Sequence, residues 1–338
     1  MGFFKKYSSF ITCCVTIAVM AGMLRCCTMV ASPQISVDDF RIYIIPEETS
    51  SQIVQDIQEH EPKGSLTGLK WLLRIKKYDD NIKTGSYVIK KSSRPIDIQR
   101  MLTSGSQTPV RVTINSCRTT EKMAAAIASQ LMADSAQIET FLTDSASLAS
   151  LGYTPQTVFE LIVPNTYELY WNVSVESFMK RMAKEHDNFW SSRQEQAAKI
   201  GLTPHEVTTL ASIVEEETAK ADEMPVVAGL YMNRLNKGML LQADPTVIFA
   251  LGGERPKRVL FSHLEVDSPY NTYKYAGLPP APIRFVSTTA INAVLSYTRH
   301  NYLYMCAKED FSGYHNFATT LSQHNANAAR YQRALQSK

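Results

Sequence analysis

Three consecutive acids, Glu215, Glu216 and Glu217, close a helical stretch and are the densest candidate for acid-base chemistry in the chain. The stretch opens with a strong start signal: Thr203 as N-cap, Pro204 in the first helical position and Glu206 three residues after the cap. With the start fixed, side chains can be laid on a wheel at about 100° per residue. Val207, Leu210, Ala211, Ile213 and Val214 form the buried face. Glu216 falls opposite that face, Glu215 at its edge, and Glu217 between Ile213 and Leu210. A carboxyl turned into apolar surroundings loses hydration of its charged form. Its pKa then rises toward neutral and it can hand a proton to a leaving group, as cleavage of a glycosidic bond requires. The competing reading is a structural glutamate paired with a buried arginine such as Arg234.

Downstream the chain gathers the groups a sugar-binding groove needs. Asn233 and Arg234 end the next helix, Gln242, Asp244 and Thr246 follow, and Tyr270, Asn271, Thr272 and Tyr273 come further on. Sugar rings expose hydroxyls and apolar faces together, so amides, carboxylates and tyrosines side by side suit them. The same residues also make up ordinary polar loops. His263 and His315 can serve a site, although hydrogen-bonded or surface roles are the commoner fate of such histidines. There is no HExxH, no Walker P-loop, no GxSxG elbow and no GxGxxG after a strand, so neither a metal nor a cofactor is expected.

Two regions must position these residues. From Val37 to Ile114 short strands and helices mix: strands at Phe40 to Ile45, Gly85 to Ile89 and Val110 to Ile114, helices at Ser50 to Ile57 and at Ile96 to Leu102, the latter stopping at Gly105. From Thr119 helices dominate, at Glu121 to Met132, Ser135 to Ser145, Val175 to Phe189, Pro204 to Ala219 and Glu223 to Asn236. A loop-rich stretch from Gly238 to Pro282 precedes a helix at Ser287 to Ser296, a strand at Tyr302 to Ala307 and a polar helix from about Thr320. The class expected is α+β.

Ahead of both regions, Lys5 and Lys6 precede an apolar run from Phe10 to Leu24 that continues past Arg25 to Val30. A membrane anchor needs roughly 20 apolar residues, which residues 8–31 supply if Arg25 reaches to the outer interface. The basic flank then places the N-terminus in the cytoplasm and the rest outside. A cleaved signal peptide also fits an apolar core of about 15 residues, but no small-x-small cleavage site stands out. Four of the six cysteines, Cys13, Cys14, Cys26 and Cys27, lie in this segment; Cys117 and Cys306 remain, too few for a disulfide framework, with one bridge between them left open. A net charge of +3 over 338 residues gives no argument for nucleic acid.

Several motifs carry a resemblance. The segments Ala211-Ser-Ile-Val-Glu-Glu-Glu-Thr218, Tyr231-Met-Asn-Arg-Leu235, Leu241-Gln-Ala-Asp-Pro-Thr-Val-Ile248, Asp267-Ser-Pro-Tyr-Asn-Thr-Tyr273 and Gly277-Leu-Pro-Pro-Ala-Pro-Ile283 are similar to those of the MltG (YceG-like) endolytic transglycosylase family. Leu161-Ile-Val-Pro-Asn-Thr-Tyr-Glu168 and Tyr314-His-Asn-Phe317 match too, and the likeness runs over nearly all of residues 37–330 in the family's order. It implies a cytoplasmic tail and transmembrane anchor at 1–31, a small LysM-like α+β module at 37–112, and a mainly helical, lysozyme-like catalytic domain with a loop-rich insert at 113–338. The resemblance places the catalytic glutamate just before the threonine, at Glu217, where the wheel also points. Asn233, Arg234, Gln242, Asp244, Thr246, Tyr270, Asn271, Thr272, Tyr273 and His315 are the residues expected to bind substrate.

The implied reaction cuts the β-1,4 bond from N-acetylmuramic acid to N-acetylglucosamine in nascent peptidoglycan strands, leaving 1,6-anhydro ends and terminating elongation. The implied location is the bacterial cytoplasmic (inner) membrane, with the glycan strand as substrate and cell-wall synthases such as penicillin-binding proteins as partners. A hydrolytic muramidase, with Asp244 as second carboxylate, and a non-catalytic peptidoglycan-binding scaffold are the alternatives. Two positions depart from the family pattern: Glu216 stands where lysine is frequent, and Ala281 where glycine is usual.

Overall fold

The computed structural model describes residues 2–252 and 260–337; the part of the loop-rich stretch at 253–259 and the side chains of residues 2–9, Lys5 and Lys6 among them, lie outside what it describes. Helices and strands mix, with helices in the majority. The chain divides into two compact units, residues 1–111 with 168–173, and residues 112–167 with 174–338.

The first unit begins with α1 (Gly2–Ala31), whose segment Phe10–Ala31 spans 22 residues. At about 1.5 Å per residue that covers roughly the 30 Å of a bilayer's hydrocarbon core. Its apolar side chains, Phe10, Ile11, Ile17, Met20 and Leu24 among them, are exposed rather than packed. There follow β1 (Phe40–Ile44), α2 (Ser50–His60), α3 (Thr67–Ile75), β2 (Gly85–Ile89), α4 (Pro95–Ser104) and β3 (Val110–Thr113), whose last two residues belong to the second unit. Strands β1 and β2 pair antiparallel, Ile42 opposite Tyr87, and their inward residues join Ile53, Ile57, Leu69, Leu73, Ile98 and Leu102 in one core.

Helix α3 is absent from the sequence-based expectations. Leu66 gives it no side-chain cap and Gly68 lies in its first turn, so the usual start signals are missing. Gly68 is there for space, because a Cβ would sit 2.2 Å from the Met29 carbonyl oxygen at the end of α1.

Buried Glu61, just past α2, holds the two approaches to this core together. Its carboxylate accepts from the Ser36 amide, from the Ser36 hydroxyl at 2.9 Å, from the Val37 amide at 3.1 Å and from the Gly64 amide at 3.0 Å. These donors, the Ser36 amide foremost, pull its pKa from 4.5 down to about 2. A carboxyl whose folded pKa is depressed stabilises above its unfolded value and loses that contribution as pH falls through the folded one. The first unit is therefore expected to weaken from pH 4.5 toward about 2. In thermal melts Glu61→Gln should melt lower than wild type at neutral pH and show a flatter acid dependence. Equal neutral midpoints for the two proteins would sink this account.

The second unit runs α5 (Thr120–Ala128), α6 (Ser135–Thr143), α7 (Ser145–Ala149), α8 (Val158–Leu161), β4 (Thr166–Leu169), whose last residues belong to the first unit, and α9 (Val175–Ser191). Then come α10 (Gln194–Lys199), α11 (Pro204–Glu217), α12 (Met224–Asn236), α13 (Asp244–Ala250), α14 (Thr288–Leu295), β5 (Tyr304–Ala307), β6 (His315–Ala318) and α15 (Leu321–Gln336). Helix α11 is the axis of the core: every residue from Val207 to Val214 is buried, against Val227, Leu230 and Tyr231 of α12 and Ile291 and Val294 of α14. Its capping box forms as expected, with the Glu206 amide donating to Thr203 Oγ1 at 3.2 Å and the Thr203 amide to Glu206 Oε2 at 2.8 Å. The helix ends two residues sooner than the periodicity predicts, because Thr218 turns extended. Within the expected loop-rich stretch the chain folds α13 and a 3-10 turn at Phe261–Glu265.

Candidate active site

The last turn of a helix is a poor place for carboxylates, since the unpaired carbonyls there make its C-terminus negative. The structure answers each member of the acid triplet differently. Glu215 accepts from the Ser116 hydroxyl at 2.8 Å and from the Ser287 amide at 2.9 Å. Glu216 accepts from Arg284 Nη1 at 2.7 Å and from Arg118 Nε at 2.6 Å. The wheel put Glu216 opposite the buried face, yet its side chain is only 6 % exposed, because α11 is enclosed on all sides.

Among the described residues no arginine bonds Glu217. Its Oε1 accepts from the Tyr231 hydroxyl at 2.8 Å. Burial pushes its carboxyl up to about 7; the Tyr231 bond pulls it down, Asp244 pushes it up and His315 pulls it down. Arg234, the alternative structural partner, is engaged elsewhere, donating to the carbonyls of Leu303 at 2.7 Å, Leu240 at 3.1 Å and Leu241 at 2.9 Å.

Glu217 opens on a groove of about 230 Å³ whose walls include Tyr231, Arg234, Gln242, Asp244, Tyr273 and His315, with Met305, Cys306 and Ala307 of β5. Glu216 faces a separate recess of about 40 Å³ with Arg118, Phe249 and Ile283. Tyr273 donates to Asp244 Oδ1 at 2.5 Å, and burial followed by that bond raises its pKa, so it stays a neutral donor. His315 donates through its amide at 2.7 Å and through Nδ1 at 2.9 Å to the buried Glu223 carboxylate. A carboxylate acceptor assigns a proton to Nδ1, which leaves Nε2 as the ring atom not used in this bond. Gln242 holds φ at 51°, a left-handed conformation that costs a non-glycine residue about 1 kcal/mol.

Of the other expected binding residues, Asn233, Thr246, Asn271 and Thr272 bond the backbone and Tyr270 packs on an aromatic ring. Asn271 is fully buried and donates to the Leu264 and Val266 carbonyls, both at 2.8 Å. Thr272 and Thr246 are buried against each other, 2.9 Å between hydroxyl oxygens, and Thr272 Oγ1 accepts from the Ala243 amide at 3.0 Å. With the Gln242 amide on the Thr272 carbonyl, they clamp the strained segment that presents Gln242 and Asp244. The ring of Tyr270 packs on Phe249, 4.8 Å between centroids. Asn233 donates to the His300 and Tyr302 carbonyls at 2.8 and 3.0 Å, fixing the approach to β5. Gly229 permits the same approach, since a Cβ there would lie 2.2 Å from the Thr298 carbonyl oxygen. His263 accepts from the Leu260 amide in the 3-10 turn and is not in the groove lining. Cys117 and Cys306 are both free, so the bridge left open is not formed: Cys117 is held at a β-bridge to Phe285, and Cys306 lines the groove.

Tyr231, Glu223, Arg118 and Arg284 were not anticipated. Tyr231 lies within the Tyr-Met-Asn-Arg-Leu motif, so the motif was its one available signal. The others act across 92 or 68 or more positions of chain, where no local pattern reports them.

Fold and groove together define a mostly helical protein with a buried, tyrosine-bonded glutamate, Glu217, above a polar cleft. The sequence model of the YceG-like family matches residues 42–330, and the chain belongs to that family. An endolytic murein transglycosylase of Bacillus subtilis is 31% identical over 249 residues, 69% of this chain and 68% of the relative. One from Streptococcus pneumoniae is 29% identical over 322 residues, 85% of this chain but 57% of the relative, so the chain spans little more than half that protein's length. A crystal structure of a YceG-like protein from Listeria monocytogenes superposes with a TM-score of 0.57 at 28% identity, covering 86% of this chain and 98% of its own.

Proposed function

We propose that the chain is a lytic transglycosylase that cuts peptidoglycan glycan strands, with Glu217 as acid and then base. The observation that carries this reading is Glu217 itself: a carboxyl pushed up to about 7, bonded to one tyrosine, facing a sugar-sized polar groove. Protonated, it gives its proton to the oxygen bridging N-acetylmuramic acid and N-acetylglucosamine as an oxocarbenium-like state develops. The resulting carboxylate then takes the proton of the muramic 6-hydroxyl, whose oxygen closes on the anomeric carbon. The product is a 1,6-anhydro end, the acid is regenerated and no water is consumed. Support also comes from the relatives, which are called endolytic murein transglycosylases.

In this reading residues 113–338 are a lysozyme-like catalytic domain, residues 37–112 a LysM-like peptidoglycan-binding module, and residues 1–31 a cytoplasmic tail and anchor with the N-terminus inside. Held at the cytoplasmic membrane, such an enzyme terminates strands as cell-wall synthases extend them. Asp244 on the same groove favours one second reading, a muramidase, because glycosidases that admit water place a second carboxylate about 5–9.5 Å from the first.

Purified strands incubated with the full chain and analysed by mass spectrometry separate the readings. Internal fragments with 1,6-anhydromuramic ends are expected. Reducing ends that take up oxygen from labelled water would replace the transglycosylase with a hydrolase, and intact strands that remain bound would replace both with a scaffold.

A further inference from the structure

Helix α3 presents two faces of different chemistry. Leu69, Leu72 and Leu73 enter the core of the first unit, while Trp71 is 44% exposed and Ile75, one turn on, 56% exposed. Beside them Lys70, Arg74, Lys76 and Lys77 are all exposed, and no acid interrupts the run before Asp79. Single exposed apolar residues are ordinary on a soluble surface. A tryptophan and an isoleucine on one face, ringed by cations, are the composition of an element lying in a membrane interface.

What selects the occupant is where α3 sits. Along α1 the residues from Phe10 to Arg25 are exposed, and burial by the protein begins only at Cys26, Met29 and Val30. There α3 packs directly, Gly68 against the Met29 carbonyl. Met29 lies four residues beyond Arg25, about 6 Å farther along the helix axis. If Arg25 marks the edge of the hydrocarbon, α3 lies at headgroup level.

We propose that α3 rests on the surface of the bilayer that α1 crosses, with Trp71 and Ile75 among the upper acyl chains and Lys70, Arg74, Lys76 and Lys77 on the phosphates of anionic lipids. This rests on the reading of α1 as a retained membrane span. The contact gives the first unit a second attachment, so that it lies against the membrane instead of swinging on a single helix. Lipid recognition here is electrostatic and interfacial, strengthening with the anionic fraction of the leaflet.

The test uses the full chain in phosphatidylcholine vesicles containing phosphatidylglycerol, with and without brominated acyl chains. Brominated lipid is expected to quench part of the tryptophan emission, and Trp71→Phe to abolish that loss although Trp171 and Trp190 remain. A Lys70→Glu, Arg74→Glu double variant should be quenched less while staying in the membrane through alkaline carbonate washing. Equal quenching of wild type and Trp71→Phe would overturn the proposal, as would an unquenched emission that shifts blue only on addition of glycan strands. Release of the wild type by carbonate would instead overturn the membrane-span reading itself, and with it the attachment of α3.

Discussion

Glu217→Gln is expected to leave the chain folded and able to bind glycan while lowering strand cleavage by about 10²–10⁴-fold, the contribution of a positioned acid-base group. The amide preserves the size of the side chain and an oxygen for the Tyr231 hydroxyl, but it can neither give nor take the proton. Two pH effects accompany it. Cleavage by the wild type should fall as pH rises through about 7, where Glu217 loses its proton, and Tyr231→Phe should move that limb upward by removing a bond that favours the carboxylate. Stability runs the same way. A carboxyl raised from 4.5 to about 7 opposes folding once ionised, so wild-type stability declines between those values, by at most about 3 kcal/mol, and the glutamine variant escapes the decline. Denaturant unfolding at pH 5 and pH 8 reads both signs. Unimpaired cleavage by the variant, or a variant less stable than wild type at pH 8, would make Glu217 a structural residue.

The second large effect is expected at Arg284. Its guanidinium is 11% exposed and bonds Glu216, 6% exposed, at 2.7 Å, while also reaching Glu215 at 3.8 Å and the Ser116 hydroxyl at 3.2 Å. Arg284→Met leaves two enclosed carboxylates in the last turn of α11, and removal of one partner from a buried pair costs about 3–5 kcal/mol. Arg118 makes a bond of similar length to the same Glu216 but is itself 43% exposed, so Arg118→Met should cost about 1 kcal/mol or less. Adding Glu216→Gln to Arg284→Met should recover much of the loss, because one of the two enclosed charges that Arg284 faced goes with it. Urea unfolding midpoints of the four proteins decide this, and a cost at Arg284 no larger than at Arg118 would refute the burial argument.

These contrasts mark what could be read from the chain before its structure. Helix α11 was legible because its signals are local: a cap, a proline, a glutamate three residues on, and apolar spacing that turned Glu217 inward. The same wheel misplaced Glu216, because a wheel assumes one buried face and α11 is buried all round. Among the downstream polar residues, type alone could not separate Gln242 and Asp244, which line the groove, from Asn271 and Thr272, whose polar groups hold backbone. An amide on a carbonyl and an amide awaiting a ligand look alike in sequence. Helix α3 lacked a cap, α13 was hidden behind the Asp244-Pro245 pair in a turn-rich stretch, and β6 is four residues long, so these elements escaped notice.

The groove's walls come from residues far apart in the chain: Glu217 ends α11, whereas Cys306 and His315 lie on the hairpin of β5 and β6. A chain is synthesised from its N-terminus onward, so Glu217 emerges nearly a hundred residues before His315. Throughout that interval the acid exists without its cleft, and the groove closes only when the hairpin pairs. The order of synthesis therefore works as a delay: the groove that Glu217 faces is complete only once the C-terminal strands have arrived.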